Sequence, residues 1–279
     1  MSVGLWHCLD DLDCFPPISF NPTSDCILGC VSDTFAPQSA AQPIPESIND
    51  REFILTYSSG SQVSATSPTR FRYHQQGQMI WGEYFGGTVS VGRFVGRRDA
   101  DVLSIRFAHR PVSGAEVVLG TAHSTIRWSD TGELELYETF EKDGEPHVSI
   151  CTEAERHAAW PELDPGSRST PQLDGTTFVL EESSASTVSA EPTRFEFDEN
   201  SGVVWGFYFG DTVTSGHCVG RLRDGVLDEY FVHHVIASDA TLLGDSSTAL
   251  GRRADGRLEL VEAFVLDGVP GKSVCVQVV

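Results

Sequence analysis

Two glutamates and two histidines stand among apolar residues at the two-residue spacing of a β-strand. Glu138 and Glu262 each occur in a Leu-x-Leu-x-Glu-x-Phe pattern, and His109 and His233 each follow a phenylalanine two positions earlier. Residues two apart share one face of a strand, so each of these side chains lies on an otherwise apolar face. Burial without a partner raises the pKa of a carboxyl towards neutrality. The pattern therefore predicts acid–base chemistry, with Glu138, Glu262, His109 and His233 as candidate catalytic residues.

The two glutamates also have a purely structural interpretation, in which each pairs with an arginine. The chain repeats two arginines that suit this role, Arg70 with Arg194 and Arg97 with Arg221. A structural ion pair perturbs a carboxyl without giving it any part in catalysis. The sequence leaves both interpretations open.

Six aromatic residues are candidates for binding a substrate on the wall of a cavity, and equally for filling a core. On the strand patterns, the tryptophans fall on one face and the tyrosines on the other. Small eight-stranded barrels either fill with side chains or hold one small ligand, so both outcomes are open. The six residues are Tyr84, Tyr208, Trp81, Trp205, Phe107 and Phe231.

Four residues with metal-binding side chains, His217, Cys218, His233 and His234, lie close together in the second half of the chain. Neighbouring strand residues point to opposite faces, so at most one of each adjacent pair faces a given pocket. Residues 216–220 also resemble the G-x-C-x-G form of a nucleophile elbow, but the corresponding residues 92–96 contain no nucleophile. We therefore predict no metal site and no cofactor.

The elements that must position these residues occur twice, because the chain is an internal duplication. Pro-Thr-Arg-Phe at residues 68–71 recurs at 192–195, and Trp-Gly-x-Tyr-Phe-Gly at 81–86 recurs at 205–210. The offset is 124 residues in both cases, and this register holds without a gap through residues 68–151. An internal repeat of this length predicts two copies of one structural unit.

Within each copy, apolar residues alternate with polar ones, and Gly- or Asp-containing turns interrupt the pattern at short intervals. This spacing indicates about eight antiparallel strands in about 100 residues. We predict an all-β fold with two small closed barrels in tandem, similar in architecture to lipocalins and avidins. The alternative is one fused, pseudo-twofold barrel or sandwich.

The predicted domain boundaries follow from the two copies and the segments around them. Residues 51–153 and 177–279 form the two barrels, and the polar, proline-containing residues 154–176 form a linker. Residues 1–50 form an irregular segment that could cover a barrel mouth as a lid. Four of the seven cysteines lie in its first 30 residues. We interpret the cysteines as mostly reduced thiols of a cytoplasmic protein.

Each copy resembles a group of short, single-copy, glycine-rich bacterial β proteins, some of which carry the label N-acetylglutamate synthase. The resemblance rests on a Tyr-x-Gly-Gly-x-Val segment in residues 84–96, an aromatic-x-His at 107–109 and Asp-x-Gly-x-Leu-x-Leu-x-Glu at 130–138. In the second copy Asp211 replaces the second glycine of the first segment. The sequence shows no sign of an acetyltransferase fold, so the label transfers no activity and no functional residue.

Charge narrows the choice of partner. The net charge is −21, with 19 basic residues against 40 acidic ones, which argues against nucleic acid and anionic membranes. The sequence contains no run of 18 or more apolar residues, so it predicts no membrane-spanning helix. The predicted partner is an apolar small-molecule ligand or substrate, with a homodimer as an open alternative.

The sequence-based hypothesis for function is a cofactor-independent enzyme that acts on a largely apolar small molecule, such as a natural-product intermediate, in a barrel cavity. Cyclisation, isomerisation or elimination suits a dry, shaped pocket with one or two proton-transfer groups. One alternative is a non-catalytic binding protein for a hydrophobic ligand, and another is a structural or interaction module with filled barrels.

Overall fold

The part of the chain that the structure describes forms sixteen β-strands, and it forms no α-helix. The structure is a computed structural model, and it describes residues 42–114, 116–142, 144–157, 160 and 172–279. The first eight strands are β1 Glu52–Ser58, β2 Arg70–Gln76, β3 Met79–Gly86, β4 Val89–Asp99, β5 Val102–Pro111, β6 Val118–Trp128, β7 Leu134–Lys142 and β8 Glu145–Ala154. The next eight are β9 Thr176–Ser183, β10 Arg194–Asn200, β11 Val203–Gly210, β12 Val213–Arg223, β13 Val226–Val235, β14 Ala240–Arg252, β15 Leu258–Leu266 and β16 Val269–Gln277.

The strands close into two separate antiparallel barrels, each with simple up-and-down order. Strands β1–β8 form the first barrel, which β1 closes on β8 by pairing Leu55 with Cys151. Strands β9–β16 form the second, which β9 closes on β16 by pairing Leu180 with Cys275. The predicted tandem of eight-stranded barrels is therefore confirmed, and the alternative of one fused barrel or sandwich is wrong.

Alternation within each strand explains why these sequences close into barrels. Side chains two apart on β4, β5 and β7 face the interior of the first barrel, while their neighbours face outward. The inward set forms a continuous core that includes Phe53, Tyr73, Phe94, Ile105 and Leu136. The second barrel has its own core around Phe178, Phe197 and Leu260.

Both barrels belong to one compact unit, Gln42–Val279, and they pack through their outer faces. A third apolar cluster lies between them and includes Val95 and Ala108 of the first barrel with Val219 and Val232 of the second. Arg97 adds a hydrogen bond from Nη1 to the Thr241 carbonyl across this contact, at 3.2 Å.

Short segments seal one end of each barrel. Ile48 is fully buried in the first core, and the Arg98 guanidinium holds its segment by donating to the carbonyls of Pro45 and Glu46. Leu173 is likewise fully buried in the second core, and its backbone N–H donates to the Glu199 carboxylate at 3.0 Å. We call this the sealed end of each barrel and the opposite end the open end.

Only part of the predicted lid lies in the described residues. Residues 42–50 cover the sealed end of the first barrel, beside the β2–β3 and β4–β5 turns. The remaining residues 1–41 of that predicted lid, with Cys8, Cys14, Cys26 and Cys30, lie outside the described residues. The three cysteines that the structure describes, Cys151, Cys218 and Cys275, are free thiols.

The region predicted as a linker begins by packing on the first barrel. Glu52 is buried at the start of β1, where its carboxylate accepts hydrogen bonds from the Trp160 indole N–H at 2.8 Å and the His157 backbone N–H at 2.9 Å. The guanidinium of Arg72 lies over the Trp160 ring, 4.3 Å from its centre. A search of the described residues finds no helix that is long and apolar enough to cross a membrane.

Candidate ligand-binding cavity

The second barrel contains a cavity of about 340 Å³ that opens at the open end. The loops around Ala185, Thr212 and Ala237 form its entrance, since these residues lie at turns of the open end. Apolar side chains make up most of the wall, among them Leu180, Phe195, Phe197, Val213, Phe231 and Leu260. This volume falls in the range of pockets that bind small molecules.

Two carboxyl groups, those of Glu229 on β13 and Glu262 on β15, lie deep in this cavity. Strand β14 lies between these two strands, and its Ser246 hydroxyl donates to Glu229 Oε1 at 3.1 Å. The Ser273 hydroxyl of β16 donates to Glu262 Oε2. The floor of the cavity is therefore acidic, although its walls are apolar.

Burial and mutual repulsion shift the ionisation of this carboxyl pair. Burial, followed by the neighbouring charge of Glu262, raises the pKa of Glu229 to about 8. Burial also raises the pKa of Glu262, and the Ser273 and Ser246 hydroxyls offset part of that rise. Two such groups cannot both ionise easily in a dry pocket, so the pair holds a proton near neutral pH.

The other polar groups of the floor are neutral. The Thr248 hydroxyl lies next to this pair on β14, is 2% exposed and lowers the pKa of Glu229; it has no other hydrogen-bond partner among the described residues. Burial raises the pKa of the Cys218 thiol and of the Cys275 thiol, so both stay protonated. Among the described residues of the cavity wall, His233 supplies the only basic side chain.

His233 lies nearer the open end than the carboxyl pair and is held by a tyrosine. The Tyr208 hydroxyl is 3.0 Å from its Nδ1. Burial lowers the pKa of His233 to about 4, so the ring is neutral at physiological pH. The pKa of Tyr208 is raised well above its usual value by burial, so the phenol keeps its proton, and both His233 Nδ1 and the Val232 carbonyl lie within its reach. His233 is therefore a neutral, weak base.

The glycine of the repeated motif, Gly216 in the second barrel and Gly92 in the first, makes room for the tyrosine ring. A Cβ atom at Gly216 would lie 2.2 Å from the Tyr208 ring, and one at Gly92 would lie 2.5 Å from the Tyr84 ring. Only glycine lets the ring lie flat against the neighbouring strand. The motif therefore has a structural role in both copies.

The first barrel repeats the framework with different side chains on its floor. Tyr84 bonds to His109 Nδ1 at 2.9 Å, and burial lowers the pKa of His109 to about 4. Burial also raises the pKa of Glu138 to about 7, with the Ser124 hydroxyl opposing this rise. Phe107 and His109 face inward yet are half-buried, so this interior is also reached from the open end.

Three substitutions distinguish the second floor from the first. Cys218, Glu229 and Ser246 occupy the positions of Phe94, Ile105 and Ala122. Phe94 is 2% exposed and packs against Tyr73, with 4.6 Å between ring centres. The first floor is therefore filled by an aromatic ring where the second has a small thiol and an added carboxyl.

Both copies match the model of one protein family, described as avidin-like protein, over residues 46–154 and 171–278. These two stretches cover most of the chain. The chain belongs to the avidin-like protein family. Eight-stranded barrels of this size either fill with side chains or hold one small ligand.

The remaining comparisons add little to the family match. A search of curated proteins finds no significant match. Among solved structures, the chain is similar to a Bacteroides fragilis protein provisionally described as an outer membrane protein, at 8% identity over 81% of this chain and 95% of that one. The TM-score is 0.26, which is too low to inform on fold or function. The resemblance to proteins labelled N-acetylglutamate synthase stays a prediction.

The predicted ion pairs between the interior glutamates and the repeated arginines are wrong. Arg70 lies 3.7 Å from Glu52, and Arg194 pairs with Glu196 at 3.2 Å. Arg97 bonds to the Thr241 carbonyl, and Arg221 pairs with Asp228 at 3.1 Å. All four arginines lie on outward-facing strand positions, whereas Glu138 and Glu262 face inward, so the barrel wall separates them.

The predicted role of Trp81 and Trp205 in substrate binding is also corrected. The Trp81 ring stacks on His217 of the other avidin-like barrel, with 4.0 Å between ring centres. The Arg93 guanidinium lies 4.3 Å above the Trp205 ring. Both tryptophans face outward, because the inward face of their strands carries Tyr84 and Tyr208, which lie an odd number of residues away.

The other sequence candidates lie inside the barrels. Phe231, Tyr208, His233 and Glu262 line the cavity of the second barrel. Their equivalents Phe107, Tyr84, His109 and Glu138 lie in the interior of the first. The histidine–cysteine group does not converge, because His217 stacks on Trp81 outside the barrel and His234 bonds to Asp239, while Cys218 and His233 face inward.

Glu229 is the important residue that sequence reasoning missed. Its signal was present, because Glu229 stands two residues before Phe231 and four before His233. The equivalent residue in the first copy is Ile105, so an acidic side chain in the second copy replaces an apolar one. Extending the inward face by one more residue in each copy would have identified it.

Proposed function

We propose that the second avidin-like barrel binds a small, largely apolar molecule in its interior cavity. The observation that carries this proposal is the cavity of about 340 Å³, which has apolar walls, a polar floor and an entrance at the open end. Burial of an apolar body provides affinity, and a few polar groups at the far end orient the ligand. The family match supports a small-molecule ligand in general terms.

The proposal can be tested by filling the cavity with the side chain that the first barrel already uses. Cys218→Phe introduces the residue found at the equivalent position 94. We expect the affinity for the uncharged dye N-phenyl-1-naphthylamine, measured by fluorescence titration, to fall about tenfold or more, because the ring occupies the ligand volume.

Val261→Ala is the matched control, because Val261 is 46% exposed on the outer face of the same barrel. Circular dichroism melting verifies that both variants fold. Unchanged dye binding in a folded Cys218→Phe variant contradicts the proposal.

Acid–base catalysis on the bound molecule is the second candidate function, and the Glu229–Glu262 pair favours it. A pair that holds one proton near neutral pH offers a donor and an acceptor together in a dry pocket. Cyclisation, isomerisation and elimination need only such groups. His109 and His233 are less suited, since both are weak bases whose Nδ1 atoms are already hydrogen-bonded to a tyrosine hydroxyl.

Proton abstraction would introduce deuterium into a ligand incubated with the protein in D₂O, as detected by mass spectrometry. We expect Glu229→Gln and Glu262→Gln each to abolish that exchange while ligand binding persists. Exchange that survives in both variants would show that the carboxyl pair is not the catalyst, and no exchange with a bound ligand would leave binding as the function.

A further inference from the structure

The floor of the second cavity carries two carboxyl groups that no cationic side chain among the described wall residues balances. Glu229 and Glu262 lie there together, and the described residues of the cavity wall include no lysine or arginine. His233 lies four residues along β13 from Glu229, about 13 Å at the usual strand rise, and its ring is neutral. Buried carboxylates are normally paired, so this pair lacks the partner that its chemistry demands.

The hydrogen-bonding capacity of the floor is also unfilled. An ionised carboxylate accepts about four hydrogen bonds. Ser246 donates to Glu229 and Ser273 donates to Glu262. The Cys218 thiol and the Thr248 hydroxyl also lower the pKa of Glu229, and Ser246 lowers that of Glu262. These donors are fewer than the two carboxylates can accept. The Thr248 hydroxyl beside them is buried, and apart from Glu229 it has no hydrogen-bond partner among the described residues. Three polar groups therefore face the cavity from three strands, and the two carboxyls retain room for a ligand donor.

An ammonium group satisfies this arrangement better than other small polar groups. It carries three N–H donors and one positive charge, which match two carboxyls and one hydroxyl. An alcohol offers a single donor and no charge. A ligand carboxylate would add a third negative group and be repelled.

We propose that the ligand of the second barrel is a hydrophobic primary amine whose ammonium group binds between Glu229 and Glu262, beside Thr248. The apolar body of the amine fills the space between Phe197, Phe231 and Leu260 towards the open end. This inference rests on the proposed binding function and specifies the chemical class of the ligand. The first barrel does not share the site, because Ile105 replaces Glu229.

Binding of the amine is coupled to loss of a proton from the carboxyl pair. The free pair holds a proton, and an incoming positive charge favours the doubly ionised form. Other titratable groups face the floor from β11, β12, β13 and β16, namely Tyr208, Cys218, His233 and Cys275. Burial keeps all four neutral between pH 5 and pH 8. The flanking strand β14 contributes hydroxyls, and β9 and β10 contribute apolar side chains.

The experiment is isothermal titration of the full chain with octylamine, 1-octanol and octanoate, which share one apolar chain. We expect octylamine to bind about tenfold more tightly than 1-octanol, since charge-assisted hydrogen bonds contribute at least 1.4 kcal/mol. Octanoate should bind most weakly of the three, because its carboxylate is repelled by the carboxyl pair. Titration in two buffers of different ionisation enthalpy should show proton release on octylamine binding at pH 7.

Glu229→Gln and Glu229→Ile should each remove the preference for octylamine and leave 1-octanol affinity within about twofold. Glu138→Gln, the matched change in the first barrel, should leave all three affinities unchanged. If the Glu229 variants fail to fold, the pH dependence of the parent protein decides. Octylamine affinity should rise between pH 6 and pH 8, and 1-octanol affinity should not.

The outcomes separate this inference from the proposed function. Equal affinities for octylamine and 1-octanol, with normal binding of N-phenyl-1-naphthylamine, overturn the amine and leave the binding function standing. Absence of binding for the dye and for all three octyl compounds overturns the binding function, and the amine proposal falls with it.

Discussion

The two barrels share their framework and differ in their floors. Both hold a tyrosine against a glycine strand, and both bond that tyrosine to the Nδ1 atom of a neutral histidine. The first barrel then closes its floor with Phe94 and Ile105, whereas the second has Cys218 and Glu229. Residues kept in both copies therefore build the barrel, and the replaced residues define a site.

Glu138 and Glu262 show the limits of that rule. They occupy equivalent inward-facing positions, and burial raises the pKa of both. Only Glu262, however, has a second carboxyl beside it, that of Glu229. A lone buried acid holds its own proton at low cost. A pair creates a demand for positive charge, so one replacement at position 229 changes the chemistry of a residue that did not change.

The largest predicted effect concerns the pH dependence of stability, which should be stronger for the acid pair of the second barrel than for the single acid of the first. The folded pKa of Glu229 is about 8 and that of Glu138 about 7, both above the ordinary value of 4.5. The folded state therefore binds the protons more tightly, so their stabilising effect is complete below pH 4.5 and is lost as pH rises through 7 to 8. Going from pH 5 to pH 9, Glu138→Gln should gain on the order of 3 kcal/mol over the parent, and Glu229→Gln should gain more, because a second carboxyl lies beside Glu229.

Urea unfolding of the parent and both variants at pH 5 and pH 9 measures this difference. Comparing each variant with the parent removes the general effect of the chain's net charge. A flat response for Glu229→Gln, or a clearly larger gain for Glu138→Gln, would show that the second floor is not the more acidic one.

The next difference concerns packing and follows from exchanging one residue between the floors. Phe94→Cys empties a tightly packed position and should cost about 3 kcal/mol. Cys218→Phe places a ring in existing space and should cost about 1 kcal/mol or less. Urea denaturation at constant pH compares the two, and equal costs would mean that the second floor is as full as the first.

The smallest predicted effect concerns the shared framework. Tyr84→Phe and Tyr208→Phe each remove one hydrogen bond to histidine Nδ1 and should each cost about 1 kcal/mol. Nitrogen NMR of the parent protein should find the proton on Nε2 of both His109 and His233 at pH 6. A histidine that is charged at that pH would contradict the assigned framework role.

The sequence predicted the architecture well because its evidence is local. The alternation of apolar and polar residues determines which side chains face inward, and the same pattern occurs in both copies. Glu138, Glu262, His109 and His233 were therefore placed on interior faces correctly. The same reasoning located the interior tyrosines and phenylalanines. A prediction from periodicity gives a face, and in a closed barrel a face is sufficient to place a residue inside or outside.

The sequence did not predict features that depend on how distant elements meet. Trp81 and Trp205 each lie on the outer face of their own barrel. Their partners there, His217 and Arg93, belong to the other barrel, and strand periodicity does not predict that contact. The arginines were expected to reach the interior acids, but they lie on the far side of the barrel wall. The pairing of Glu229 with Glu262 joins β13 to β15 across β14, a neighbourhood that strand periodicity alone does not define.

Methyl NMR of the chain titrated with octylamine tests the central claim most directly, because equivalent methyl groups report on each barrel. We expect shifts at Leu180, Val213 and Leu260, which line the cavity of the second barrel. Val89 and Leu136 are their equivalents in the first barrel, together with Leu55, which pairs with Cys151 as Leu180 pairs with Cys275, and all three should stay unshifted. Shifts of equal size in both sets, or in the first barrel alone, would contradict the assignment of the binding site to the second barrel.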